Sequence, residues 1–254
     1  MAKIVTAERV SRDASDNFVF QRSLLAYHEA ARRIGGNVLE IGTGSGYGIE
    51  VVAPHAQSFI TIDKNPPSAS LPHVAHVEFH EATVPPLAFE SNSFDFVISF
   101  QVIEHVKQDL ALIKEVKRVL RPNGRFIVTT PNAAMSLTRN PWHVREYTVA
   151  QFRNLLECEF AEVEACGVFG NEKVMNYYAQ NKKGVERITR FDVLNLQHRL
   201  PRWMLQLPYD ILNRRNRRRL LAENNDLTAS ICMEDYHIDA VADDCFDLFF
   251  VAQK

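Results

Sequence analysis

The run Val38-Leu39-Glu40-Ile41-Gly42-Thr43-Gly44-Ser45-Gly46-Tyr47-Gly48 constrains this chain more than any other stretch, because it sets a short apolar strand against a glycine turn with one carboxylate between them. Glycine has no Cβ, so Gly42, Gly44 and Gly46 let backbone approach a ligand and supply the positive φ angles of a strand-to-helix turn. Spacing then limits the ligand. A dinucleotide fingerprint, G-x-G-x-x-G, needs glycine where Tyr47 stands if it starts at Gly42, and where Ile49 stands if it starts at Gly44. What remains is E-x-G-x-G-x-G. Glu40 at the strand's end would repel a pyrophosphate and suits a ligand that carries an ammonium group.

Around that turn, strand and helix signals alternate from residue 22 to 168, the pattern of an open α/β sheet with parallel strands. A helical period over 23–34 stops at Gly35-Gly36, and another over 110–120 stops at Pro122-Asn123-Gly124. Apolar strands are predicted at 38–41, 59–63, 76–80, 94–100 and 125–130, with a helix over 47–53. Thr148 and Gln151 form a capping box that starts a helix running to about Leu156. Strands over 160–168 and 245–252 close the pattern, separated by a mostly helical stretch. The expectation is a doubly wound, Rossmann-like sheet of seven strands, mostly parallel, with an antiparallel C-terminal strand and a helical insertion before it. Residues 1–169 and 245–254 would form the main domain, 1–36 a helical cap within it, and 170–244 the insertion, read as a substrate cap.

Motifs recur at the strand ends, where ligands of such sheets bind. Asp63 lies 21 residues after Gly42, at the end of the second strand, where a carboxylate can accept both hydroxyls of a ribose. Glu81-Ala82-Thr83 follows the third strand, Gln101-Val102-Ile103-Glu104-His105-Val106 the fourth, and Thr130-Pro131-Asn132 the fifth. Together these strings resemble the class I S-adenosylmethionine (SAM)-dependent methyltransferases, in the small-molecule branch called methyltransferase type 11. The likeness covers residues 37 to 132 strongly and extends more thinly to 168. It implies SAM as cofactor and methyl transfer as the activity. It also implies a binding set of Glu40, Gly42, Thr43, Gly44, Gly46, Asp63, Lys64, Glu81, Ala82, Thr83, Gln101 and Glu104. Glu40 would take the methionine amine, Asp63 the ribose, and Glu81 to Thr83 the adenine, although Asp is the commoner residue at position 81.

The acceptor side is less constrained. Methyltransferases acting on exocyclic base amines carry an Asn- or Asp-Pro-Pro-aromatic motif after the fourth strand, where this chain reads Ser99-Phe100-Gln101-Val102. Its Asn65-Pro66-Pro67 follows the second strand instead, which disfavours base methylation. Between the fifth strand and the capped helix, Asn140-Pro-Trp-His143-Val-Arg145-Glu-Tyr147 matches a H-x-R-E-aromatic string of the family. If extended, it projects His143, Arg145 and Tyr147 to one face, as a base, a cation and a phenol for the acceptor. His105 is the other candidate base. A rival reading is a SAM-binding module without turnover.

Composition excludes few further classes. The chain has 254 residues, is 46% hydrophobic and carries a net charge of −2, as an ordinary globular domain does. It shows no secretory leader and no apolar run long enough to span a bilayer, so a cytoplasmic enzyme is expected. Cys158, Cys166, Cys232 and Cys245 make no C-x-x-C pair and no metal-ligand spacing with histidine, so no metal is expected. The charge is segregated, however. Residues 182 to 219 hold 11 Lys or Arg against 3 Asp or Glu, and Leu200, Trp203, Met204 and Leu207 make an apolar stripe on a helix that Pro208 would end or kink. Such a basic amphipathic segment fits a solvated lid, an anionic, lipid- or sugar-linked acceptor, peripheral contact with a membrane, or nucleic acid, the last of which would make a nucleic-acid methyltransferase. The sequence is silent on oligomeric state.

Overall fold

The structure, a computed structural model, describes residues 13–67, 76–190, 192, 195–223 and 225–254. The first part of the expected N-terminal cap, residues 1–12, lies outside the described residues. Eight strands form one sheet: β1 (Asn37–Ile41), β2 (Ser58–Asp63), β3 (Val77–Glu81), β4 (Phe94–Phe100), β5 (Leu120–Pro131), β6 (Glu162–Gly170), β7 (Tyr236–Ala240) and β8 (Asp247–Gln253). Their order is β3-β2-β1-β4-β5-β8-β6-β7. The first five are mutually parallel, whereas β8 runs antiparallel to both β5 and β6. The chain reverses its winding between β1 and β4, which opens a crevice at their carboxyl ends.

The expected count of seven strands is one short. Tyr236-His-Ile-Asp-Ala pairs antiparallel with β6 as an edge strand, held through residues more than sixty positions away. Its five residues were too short a run to stand out at the end of a helical stretch. The fifth strand also starts earlier than its apolar run, at Leu120, with a register shift between Phe94 and Phe96 on its partner.

Helices cover both faces. On one face, α1 (Asn17–Ala31), α2 (Ile49–Val52) and, later in the chain, α5 (Glu172–Thr189) bury Ala30, Val52 and Val174 against Val38, Phe59 and Ile98. On the other, α3 (Asp109–Val119) and α4 (Val149–Glu157) bury Leu112, Val116 and Phe152 against Leu39, Val97 and Phe126. Neighbouring residues such as Val38 and Leu39 enter opposite cores because successive strand side chains alternate. The capping box of α4 is complete: Gln151 N donates to Thr148 Oγ1 and Thr148 N donates to Gln151 Oε1.

The stretch from 170 to 244 contains α5, α6 (Leu196–Arg199), α7 (Arg202–Glu223), α8 (Asn225–Ser230) and β7. Pro208 does not end the helix: α7 runs through it to Glu223, with Asp210, Asn216 and Leu220 buried on its inner side. This stretch closes on α1: Phe18 stacks on Tyr177 at 4.6 Å, Tyr236 Oη donates to Phe18 O, and Arg217 pairs with Asp16. The amino-terminal segment and the 170–244 stretch are therefore packed together.

Candidate cofactor and acceptor site

The glycine turn follows directly from β1. Gly42, Gly44 and Gly46 take φ of +98°, +57° and +84°. A Cβ on Gly42 would fall 2.3 Å from Val102 Cγ2, while the position of a Cβ on Gly44 is open space. The turn is tied to β2, since Gly42 N and Thr43 N both donate to Ile62 O. Asp63 then holds the turn from below, accepting from Gly44 N at 2.9 Å on Oδ2 and from Asn65 N at 3.0 Å on Oδ1. At the end of β4, Gln101 adopts φ +57°, uncommon for a residue with a side chain, and donates its N–H to Thr129 O.

These elements enclose a cavity of about 830 Å³, within the range of small-molecule sites. Of the residues expected at the cofactor, Gly42, Thr43, Gly44, Asp63, Lys64, Ala82, Thr83 and Gln101 line it. Four do not. Gly46 shapes the turn behind the wall, and Glu81 is exposed at the end of β3, in register with Asp63 but outside the cavity. Glu104 is 1% exposed; its Oε2 accepts from Thr130 Oγ1, and its carbonyl accepts from Val144 N and Arg145 N. It braces the 140–147 loop from outside the cavity.

Glu40 is the larger correction. It is 2% exposed, and both oxygens are already engaged, Oε1 by Tyr27 Oη at 2.8 Å and Oε2 by Thr61 Oγ1 at 2.5 Å. Thr43 Oγ1 lies 2.6 Å from Thr61 Oγ1 and so joins the chain. Burial raises the Glu40 carboxyl to about 7, with the two hydroxyl hydrogen bonds pulling the other way. The carboxylate locks the turn to α1 and β2 from behind and does not reach the cavity.

Of the four residues expected at the reacting groups, His105 alone lines this cavity. Its Nδ1 lies 3.1 Å from Trp142 O, and a carbonyl can only accept, so Nδ1 is the donor of that bond. His143 packs edge-on against it, ring centroids 4.9 Å apart, with Nδ1 on Glu146 Oε1 and Nε2 on Asn140 Nδ2. The other two turn away. Arg145 pairs with Asp109, and Tyr147, 4% exposed, donates to the same Asp109 oxygen at 2.8 Å. The loop is not a straight strand, so its odd residues do not share a face. Burial and Asp109 push the Tyr147 phenol well above its ordinary range. Among the described residues, one ligand atom each of Glu104, His105 and His143 lie within 4.8 Å of one another, the spacing a cation needs. All three side chains are engaged by protein groups, and as they stand they form a hydrogen-bonded brace.

A second cavity of about 640 Å³ lies under the insertion and is walled by Phe18, Met135, Tyr177, Ile188, Leu205 and Phe246 among others. Two contacts join its wall to the first: the His105–His143 ring pair, and an ion pair of 2.7 Å between Arg22 Nε, facing the second cavity, and Asp247 Oδ2, facing the first. Arg22 lies over the Phe18 and Phe246 rings at 5.6 and 5.5 Å. Asp247 is 3% exposed, and its Oδ1 has no hydrogen-bond partner. Burial raises its carboxyl, opposed by Arg22 and Gln101. Sequence reasoning missed this pair. The available signal was an Asp opening an otherwise apolar last strand. Trp142 was likewise missed: it lines the first cavity and donates Nε1–H to Asp210 of α7.

Residues 39–128 match the methyltransferase domain family. A Mycobacterium tuberculosis protein assigned as a SAM-dependent methyltransferase is 32% identical over 189 residues, covering 70% of this chain and 68% of that one. One from Mycolicibacterium smegmatis is 36% identical over 167 residues, covering 61% of this chain and 64% of its own length. The chain thus spans about two thirds of these relatives. YcgJ from Bacillus subtilis superposes with a TM-score of 0.54 over 90% of this chain and 97% of its own, at 15% identity, which speaks for the fold alone. The chain belongs to the class I SAM-dependent methyltransferases. Its cofactor is SAM, and the glycine turn with its open face at Gly44 and a carboxylate at Asp63 fits that molecule.

Proposed function

We propose that the protein transfers the methyl group of SAM to an apolar acceptor, a lipid-linked small molecule being the class its second cavity suits best. The observation that carries this reading is the chamber beside the cofactor cavity, whose wall sets Phe18, Tyr177, Ile188, Leu205 and Phe246 among polar side chains such as Arg139 and Asn181, and which joins the first cavity at His105–His143 and Arg22–Asp247. A ligand pocket lined by aromatic and aliphatic side chains selects apolar surface, while a few polar groups fix orientation. One of the more distant relatives, a ubiquinone biosynthesis O-methyltransferase of Parvibaculum lavamentivorans, is 30% identical over 104 residues, 38% of this chain.

Bound SAM supplies a methyl group already activated on a sulfonium, so positioning does most of the catalytic work. Asp63 would accept from the ribose hydroxyls, and Ala82 and Thr83 would flank the adenine. Glu40 is buried behind the turn, outside the cavity, and Asp247, which lines it, would take the methionine amine through its unpartnered Oδ1. His105 would receive a proton at Nε2 from a hydroxyl acceptor, its ring oriented by Trp142 O. The His143 imidazole, held by Glu146 and Asn140, would support that ring by edge-on packing.

The test is release of S-adenosylhomocysteine from SAM in the presence of lipid extracts or of polar metabolites. Turnover with the lipid fraction and a methylated lipid product are expected. Turnover confined to the polar fraction would overturn the acceptor class, and binding without turnover in every fraction would favour a regulatory module.

A further inference from the structure

Among the described residues, the most exposed large apolar side chains lie on α7. Trp203, Leu207 and Ile211 on α7 are 72%, 60% and 57% exposed. They stand four residues apart and so share one face of the helix. Continued for two further turns, that face carries Arg215 and Arg218, both exposed. From 203 to 218 the helix has a single acidic residue, Asp210, which is buried and bonded to Trp142. Exposed apolar patches with a charged border mark interaction sites.

We infer that this face of α7 docks on an anionic lipid bilayer. The helix would lie in the plane of the interface, tryptophan and aliphatic side chains down, arginines on the headgroup phosphates. No helix among the described residues is long and apolar enough to cross a membrane, which agrees with contact from one side. Charge decides between occupants. Asp13 lies within electrostatic reach of Arg218, but from 203 to 218 the helix itself offers no exposed carboxylate, so a second copy laid symmetrically on the same face would bring no acidic residue of that helix to Arg215, whereas lipid phosphates supply that charge. Position agrees. Met204 and Leu212 are 43% and 42% exposed and also line the second cavity, so that cavity opens beside the docking face. A bilayer there would be both the anchor and the source of an acceptor. Docking itself does not depend on the proposed acceptor; only what then enters the cavity does.

The experiment is sedimentation of the full-length protein with phosphatidylcholine vesicles, with and without phosphatidylglycerol. Binding to the anionic vesicles is expected, falling with salt. Replacement of Leu207 and Ile211 together by Glu, or of Arg215 and Arg218 together by Glu, should weaken it by at least about tenfold. All four are surface positions, and unchanged melting curves would show that the variants fold. In a Trp142→Phe background, Trp203 is the remaining tryptophan of two, and its emission should shift to shorter wavelength on binding. Absence of binding at low salt, or equal binding by the variants, overturns the inference. So does sedimentation velocity showing a wild-type dimer that the Leu207/Ile211 variant dissociates, which would assign the face to a second copy. Methyl transfer to lipid presented in detergent micelles tests the acceptor reading without the bilayer, so either claim can fail alone.

Discussion

Arg22 and Asp247 meet at 2.7 Å across the wall that separates the two cavities, and the second oxygen of Asp247 has no protein donor. An unsatisfied buried carboxylate oxygen is costly, and a ligand ammonium at that point would relieve the cost. Asp247→Asn should therefore weaken SAM binding by at least about tenfold, a change of about 1.4 kcal/mol. Binding of 5′-methylthioadenosine, which lacks the methionine end, should hardly change. Equal loss for both ligands in calorimetry would mean that Asp247 only props up Arg22.

Asp63 both holds Gly44 and lines the cavity. Asp63→Ala is expected to lower SAM affinity more than about tenfold, since paired hydrogen bonds to a carboxylate are among the strong ones. An unaltered affinity would remove the ribose assignment.

Burial of Glu40 makes stability depend on pH in a definite direction. In the unfolded chain this carboxyl titrates at its ordinary 4.5, and in the folded protein at about 7. Between those values the native state keeps a proton that the unfolded chain has lost, so stability falls as pH rises through the window. The penalty is complete above pH 7 and is on the order of 3 kcal/mol. Melting temperatures of the wild type should drop across this range relative to Glu40→Gln; parallel curves would contradict the buried, proton-binding carboxyl.

Tyr147→Phe separates a structural from an acceptor-binding phenol. Loss of its hydrogen bond to Asp109 should cost about 1 kcal/mol of stability. Turnover per folded molecule should be retained. A KM for acceptor raised at unchanged stability would return Tyr147 to the active site.

The local signals in the sequence carried the fold a long way. Glycine spacing, an Asp at the end of β2 and a Thr148–Gln151 box each act within a few residues, so each was legible without tertiary information. Asp63, Ala82, Thr83 and Gln101 reached one cavity because parallel strands deliver their ends to one edge. Side-chain direction was another matter. Glu40 was read as facing a ligand, yet Tyr27 thirteen residues earlier and Thr61 on the neighbouring strand claim both of its oxygens. Arg22 and Asp247 come from opposite ends of the chain, and no pattern in either neighbourhood announces the other. Strand β7 was hidden for the same reason, since its pairing depends on β6 more than on its own five residues.

The hydrogen bond from Trp142 to Asp210 gives the two cavities a common moving part. Trp142 walls the first, and α7, which carries Asp210, walls the second. If the acceptor of the proposed reaction occupies the second cavity, a displacement of α7 would reach the indole, and cofactor and acceptor affinities would then be linked, each changing the other by the same factor. The proposed reaction would then carry an order set by geometry, methylated product and spent cofactor each altering the hold on the other.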